Sequence, residues 1–166
     1  MQKNNRLIVV DDEPGILDGY RNILTPAAPT PMLLSSRSRG AAIAAAPAAV
    51  PALYEVSYCS SGEEALKKVE ENLKAGTPFV GGFFDVKLGP GIDGIETIRQ
   101  AQKKDPRLLV CIVSAYQDRN LEEIARIFGE EFDGQWDFMM KPFANAEIVQ
   151  KAKNLVANWA WRNLRK

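Results

Sequence analysis

The sequence predicts an α/β fold, a doubly wound five-stranded parallel sheet with helices on both faces. Short apolar runs of strand length alternate five times with amphipathic segments of helical spacing, and crossovers between parallel strands place helices over both faces of the sheet. Charged and hydroxyl residues follow directly on those apolar runs. They therefore gather beyond the carboxyl ends of the strands, where such sheets carry their functional groups.

The first run, "RLIVV" at residues 6–10, is apolar enough for a central strand buried on both faces. Beyond Pro14, the residues Ile16, Leu17, Tyr20, Ile23 and Leu24 keep helical spacing until Thr25-Pro26 stops them. Pro and Ala then dominate residues 26–53, which read as an insertion between helix 1 and strand 2, either an arm folded over a neighbour or a long loop.

The rhythm resumes with "YEVSYC", an alternating strand, and "SSGEEALKKVEENLKAG", a helix. Ser61 and Glu64 can form its capping box, Leu66, Val69 and Leu73 its apolar stripe, and Gly76 its stop. "FVGGFFD" is the third strand, interrupted by Gly81-Gly82, and a helix carrying Ile95 and Ile98 follows a glycine-rich loop. "RLLVCIVSA" is the fourth strand, and "NLEEIARIFG" a helix presenting Leu121, Ile124, Ala125 and Phe128. "WDFMMKPF" is the fifth, followed by a last helix from Ala144.

In that helix Ile148, Ala152, Leu155 and Trp159 follow 4-3-4 spacing, which suits a short seam with a partner helix and core packing equally well. Trp159 and Trp161 are about 200° apart around a helix and cannot both face one core. One of them meets a partner, a second copy or an adjoining domain, or stays partly exposed. The domain is expected to span residues 1–157, with 158–166 a helical extension leading to an output domain of a longer protein.

Composition excludes several functions. The 21 basic and 21 acidic side chains give a net charge of zero, so no nucleic acid and no membrane surface is an expected partner. Arg162, Arg165 and Lys166 read as a solvated helix end. No apolar run reaches the roughly 18 residues of a spanning helix and the amino terminus is polar, so a cytoplasmic protein is expected. Cys59 and Cys111 lack disulfide or metal-ligand patterning and read as buried thiols. With no histidine, Ser/His and Cys/His catalysis and His-ligated metals are excluded.

The strand ends carry Asp11 and Asp12 after the first strand, Asp85 after the third, Ser114 after the fourth and Lys141 after the fifth. Clustered carboxylates repel by several kcal/mol unless a cation joins them, and an all-oxygen donor set suits Mg²⁺ or Mn²⁺. Such a metal would let Asp85 attack phosphorus to give an acyl phosphate. Lys141 can then pair with one phosphoryl oxygen, while Ser114 and the backbone N–H of Ala115 donate to another.

These residues stand in the segments "VVDDEPG", "FFDVKLGPGIDGIETI", "VSAY" and "MMKPF", in that order. The sequence thereby resembles the receiver domains of two-component response regulators, apart from the insertion and the C-terminal tail. The resemblance implies a flavodoxin-like fold with strand order 2-1-3-4-5. It also implies Asp85 as phosphoacceptor, Asp12 as direct metal ligand with Asp11 beside it, and the Lys87 carbonyl as a further ligand. Lys141 resembles the phosphate-pairing lysine, Lys141-Pro142 the family's cis peptide, and Ser114 and Phe138 the switch pair that rearranges on phosphorylation. The implied function is a phosphorylation-switched signalling module, not an enzyme. Its implied partners are a histidine kinase or phosphotransfer protein, and a homodimer mate or attached output domain reached through the last helix.

Departures from the family accompany the match. The usual loop, Met-Pro-x-Met-Asp-Gly, is here "LGPGIDG" and one residue longer. Lys87 and Tyr116 flank the expected path of the water that attacks the acyl phosphate, which implies slow self-dephosphorylation. An extension like residues 26–53 resembles receivers at the N-terminus of sensor kinases or nucleotide cyclases. Two alternatives stand beside this reading. One is a metal-dependent aspartyl-phosphate phosphohydrolase, whose second acid would fall at Lys87, and the other a degenerate receiver serving as a dimerisation scaffold.

Overall fold

Strands and helices alternate along the residues that the computed structural model describes, 4–27, 53–115, 121–129 and 134–163. In order they are β1 (Arg6–Val10), α1 (Pro14–Leu24), β2 (Glu55–Cys59), α2 (Gly62–Lys74), β3 (Gly81–Asp85), α3 (Gly94–Lys104), β4 (Leu109–Ala115), α4 (Leu121–Phe128), β5 (Trp136–Lys141) and α5 (Asn145–Asn163). All pairings are parallel and the sheet order is β2-β1-β3-β4-β5, as expected.

Alternation along the buried strands builds two core layers. Leu7 and Val9 of β1, Phe83 of β3, and Leu109, Cys111 and Val113 of β4 face one side, where α1 and α5 cover them with Leu17, Tyr20, Ile148, Leu155 and Val156. Ile8, Val10, Phe84, Val110 and Ile112 face the other, under α2, α3 and α4 with Val69, Ile98, Ile124 and Phe128. Burying each large apolar side chain contributes about 1.5–3 kcal/mol, so β1, β3 and β4 are firmly held from both faces.

The helix starts follow local chemistry with one shift. Pro14 opens α1, and Asp93 caps α3 by accepting the Glu96 N–H at 2.8 Å. Ser61 Oγ accepts the Glu64 N–H at 3.2 Å, but Glu64 answers through the N–H of Ser60 at 2.8 Å, one residue earlier than a capping box requires. On α2, Ala65 and Val69 are buried whereas Leu66 and Leu73 only flank the core.

One expectation about helix faces changes, and one alternative that spacing left open is decided. The apolar face of α4 is centred on Ile124, Ile127 and Phe128, which leaves Leu121 and Ala125 exposed. The 4-3-4 positions of α5 are filled by this chain's own core, since Ile148, Ala152, Leu155 and Trp159 all belong to the α1/α5 layer. Trp159 is 8% exposed and Trp161 64%, as their angular separation requires. α5 runs unbroken to Asn163 with Trp159 packed inward, so residues 158–163 continue the last helix. The insertion lies outside the described residues from 28 to 52.

The Gly81-Gly82 interruption in β3 has a steric cause. A Cβ on Gly82 would run into the Ile8 carbonyl and side chain, and one on Gly81 into the Leu109 carbonyl. Gly82→Ala should therefore destabilise the fold by about 1–3 kcal/mol, read as a lowered urea midpoint; an unchanged midpoint would contradict the close approach. Cys59 and Cys111 are wholly buried, and burial pushes both thiols up to about 12. Neither should react with a disulfide thiol probe at pH 8 until denaturant opens the fold, and rapid labelling of native protein would show otherwise.

Candidate functional site

The register of the central strands brings the acids together. Val10 lies opposite Phe84, so Asp11 and Asp85, the next residues on each chain segment, emerge side by side. The ladder continues past the strand ends, with Asp11 N–H donating to the Cys59 carbonyl at 3.1 Å and Val86 N–H to the Val113 carbonyl at 2.9 Å. On the other flank Ala115 lies opposite Lys141, which brings the lysine to the same edge.

Carboxylate oxygens of Asp11, Asp12 and Asp85 lie within 4.8 Å of one another. Asp11 and Asp85 are buried, at 2% and 4% exposure, while Asp12 is more open to solvent. The Lys141 ammonium donates to Asp11 Oδ2 at 2.8 Å and to Asp85 Oδ2 at 2.6 Å, with Glu13 Oε1 at 3.7 Å. The remaining carboxylate oxygens accept backbone donors, Glu13 N–H on Asp11 Oδ1 at 2.9 Å and Lys87 N–H on Asp85 Oδ1 at 3.0 Å.

Burial pushes the Asp11 carboxyl up to about 6 and the Asp85 charge adds to the rise, against the hydrogen bonds from Lys141 and the Glu13 N–H. Burial alone would lower Lys141, but its bonds to Asp11 and Asp85 outweigh that and raise it. Each pair of carboxylates at this spacing repels by roughly 3–4 kcal/mol at an effective dielectric near 20. One ammonium against three carboxylates leaves the pocket short of positive charge. An all-oxygen donor set with that deficit fits a hard divalent cation such as Mg²⁺ or Mn²⁺.

The other expected residues sit close by. Ser114 is fully buried at the end of β4, and its hydroxyl donates to the Ala115 carbonyl at 3.1 Å. Phe138 is half-buried on β5, opposite Ile112 and packed against the α2/α3/α4 layer, whereas Ser114 is opposite Met140. The Lys141–Pro142 peptide is cis, and so is Gly89–Pro90 in the connection from β3 to α3. The Lys87 side chain is exposed while its backbone faces Asp85. Tyr116 lies outside the described residues.

That connection runs close beneath the pocket. Gly94 donates its N–H to the Val86 carbonyl at 3.0 Å, and a Cβ there would run into the Asp85 carbonyl, so only glycine lets α3 begin this near the site. Among the described residues, Glu13 is the acid near Lys141 to which the sequence assigned no role. Its signal was available as the third of three consecutive acids in "VVDDEPG".

Asp11→Asn removes one charge from the cluster and keeps an oxygen for the Glu13 N–H. It should stabilise the metal-free protein by about 1–2 kcal/mol at pH 7.5 in urea unfolding, while weakening Mg²⁺ binding measured by calorimetry. A loss of metal-free stability would mean that the Asp11–Lys141 attraction outweighs the repulsion.

Comparison with known proteins follows the same lines. No protein-family model matches the chain. It is 32% identical over 103 residues to the alkaline phosphatase synthesis transcriptional regulatory protein PhoP of Bacillus subtilis (strain 168), covering 62% of this chain and 38% of that protein. The chain thus spans well under half the length of this relative. Among solved structures it is similar to a response regulator receiver domain protein (CheY-like) from Methanospirillum hungatei JF-1, with TM-score 0.66, 23% identity, and coverage of 95% of this chain and 98% of that one. It is also similar to the adenylate cyclase from Rhodopirellula baltica, with TM-score 0.69, 21% identity, and coverage of 98% and 94%.

Proposed function

We propose that this chain, which has the flavodoxin-like receiver-domain fold of response regulators, accepts a phosphoryl group on Asp85 and uses it to switch an attached or docked output. The observation that carries the proposal is the Asp85 carboxylate, buried at the end of a central strand between a lysine ammonium and two further aspartates. A lone buried acid would be neutralised or paired and left there. This one sits in a pocket with room in its charge balance for a cation and a phosphoryl group.

Asp11, Asp12, Asp85 and the Lys87 carbonyl are the proposed ligands of the cation. A bound Mg²⁺ or Mn²⁺ would supply the positive charge that allows a carboxylate and phosphoryl oxygens to approach. An Asp85 oxygen forms the new bond to phosphorus as the donor's own bond to phosphorus breaks, giving an acyl phosphate. The Lys141 ammonium exchanges a carboxylate partner for a phosphoryl oxygen, and the Ser114 hydroxyl and Ala115 N–H donate to another. As Ser114 moves toward the phosphoryl group, Phe138 turns inward to fill the space it leaves.

The chain has no histidine, so a phosphohistidine donor belongs to a kinase or phosphotransfer protein elsewhere. In this reading the module is a phosphoacceptor and not an enzyme with its own substrate. It works in the cytoplasm, where such kinases present their phosphohistidines. No helix among the described residues is long and apolar enough to cross a membrane.

A transcriptional regulator and an adenylate cyclase among the similar proteins support an output domain on the same polypeptide, and the end of α5 is the proposed link to it or to a second copy. The exposed Lys87, two residues past Asp85, and Tyr116, two residues past Ser114 in the sequence, are proposed to slow loss of the phosphoryl group.

The test is incubation with acetyl phosphate and Mg²⁺, followed by intact mass and molecular size. The wild type should gain one phosphoryl mass and Asp85→Ala none. A chelator should abolish the gain, and Lys141→Met should reduce its rate at least about ten-fold, the loss of one charge-assisted contact in the transition state. No gain in the wild type would leave the pocket as a relic and the fold as a dimerisation scaffold.

A further inference from the structure

The connection between β3 and α3 is tied to α2 by a contact that the chemistry above does not use. Glu63, in the first turn of α2, reaches across to accept the Ile92 N–H with Oε1 at 3.0 Å. The Ile92 N–H and its own backbone N–H hold the Glu63 carboxyl below the usual range.

Two glycines make this contact possible. Gly91 has φ +117°, in the left-handed region, and a Cβ there would run into the Glu63 carboxylate. A Cβ on Gly62 would run into the Thr97 hydroxyl and the Ile92 side chain, so the start of α2 lies directly against the loop and α3. The loop ends are fixed separately. Lys87 N–H is held by Asp85, and Gly94 N–H by the Val86 carbonyl, at 3.0 Å each. Asp93 begins α3, with Thr97 Oγ1 donating to its carbonyl at 2.7 Å. Glu63 grips the stretch between these anchors.

We infer that Glu63 is a positioning residue, which through Ile92 holds the β3–α3 loop so that the Lys87 backbone stays set against Asp85. This rests on the proposed function, because it takes the acidic pocket as the cation and phosphoryl site. The anchor acts on the eight-residue connection 86–93, which bears one end of the site, so its loss should be felt locally and not across the domain. What the site needs from it is a neutral or charged oxygen acceptor at one place, and the glutamine side chain supplies that as well.

The experiment is calorimetric titration of Mg²⁺ into wild type, Glu63→Ala, Glu63→Gln and, as a control farther along α2, Glu71→Ala, with amide hydrogen exchange on the metal-free proteins. Glu63→Ala should weaken Mg²⁺ binding about 3–10-fold, the loss of one hydrogen bond, while Glu63→Gln and Glu71→Ala stay within about two-fold of wild type. Exchange should quicken at Ile92 and Lys87 in the alanine variant alone. Wild-type affinity in Glu63→Ala would overturn the inference. So would an equal loss in the glutamine variant, or quickened exchange spread evenly over the domain. A wild type that binds no Mg²⁺ would overturn the proposed function as well, which separates that failure from failure of the anchor.

Discussion

Three carboxylates are pressed together by the register of two adjacent parallel strands, and much else in this molecule answers to that repulsion. Asp11 and Asp85 cannot spread apart, because Val10 and Phe84 before them pair in the sheet and are buried beneath α2, α3 and α4. The conflict is met by bringing a cation from the far side of the sheet, Lys141, whose position depends in turn on β5 pairing with β4. The hydrophobic layers thus hold like charges in place that would separate if they were free to.

The same constraint explains why the site is built from short backbone reaches. The oxygens of Asp11 and Asp85 that Lys141 does not engage accept N–H groups of Glu13 and Lys87, each two residues ahead along its own loop. Gly94 then lets α3 begin against the Asp85 carbonyl. Each loop leaving the pocket is consequently coupled to the charge of the carboxylate it leaves from. In the proposed function, a change in what those carboxylates bind would reach first the backbone of these loops and then the helices they start.

Much of the architecture was legible in the chain. Apolar runs marked the strands, because a strand covered on both faces has little use for polar residues, and Pro14 and Ser61 sit at helix starts where their backbone or side-chain chemistry is favourable. The harder cases were those that local pattern leaves open. Spacing alone fitted α4 with Leu121 and Ala125 inward, but the helix turns Ile127 to the core instead. It fitted α5 to a partner seam and to core packing equally, and those positions join the core layer that holds Tyr20 and Phe83 of the same chain.

Residue order by itself determined which groups stand at the strand ends: three acids, a hydroxyl and a lysine, with no histidine anywhere to compete for their chemistry. It determined too that a glycine pair interrupts β3, without saying why. Only the tertiary structure decided that Lys141 bridges Asp11 and Asp85, that Gly82 is required by the Ile8 carbonyl, and that Glu63 of α2 holds a loop nearly thirty residues farther along the chain. The reason is that periodicity reports which face of an element is apolar, whereas a contact between distant residues depends on strand register and on how closely backbones approach. Those distances are set by the packing of the whole sheet between its two helix layers.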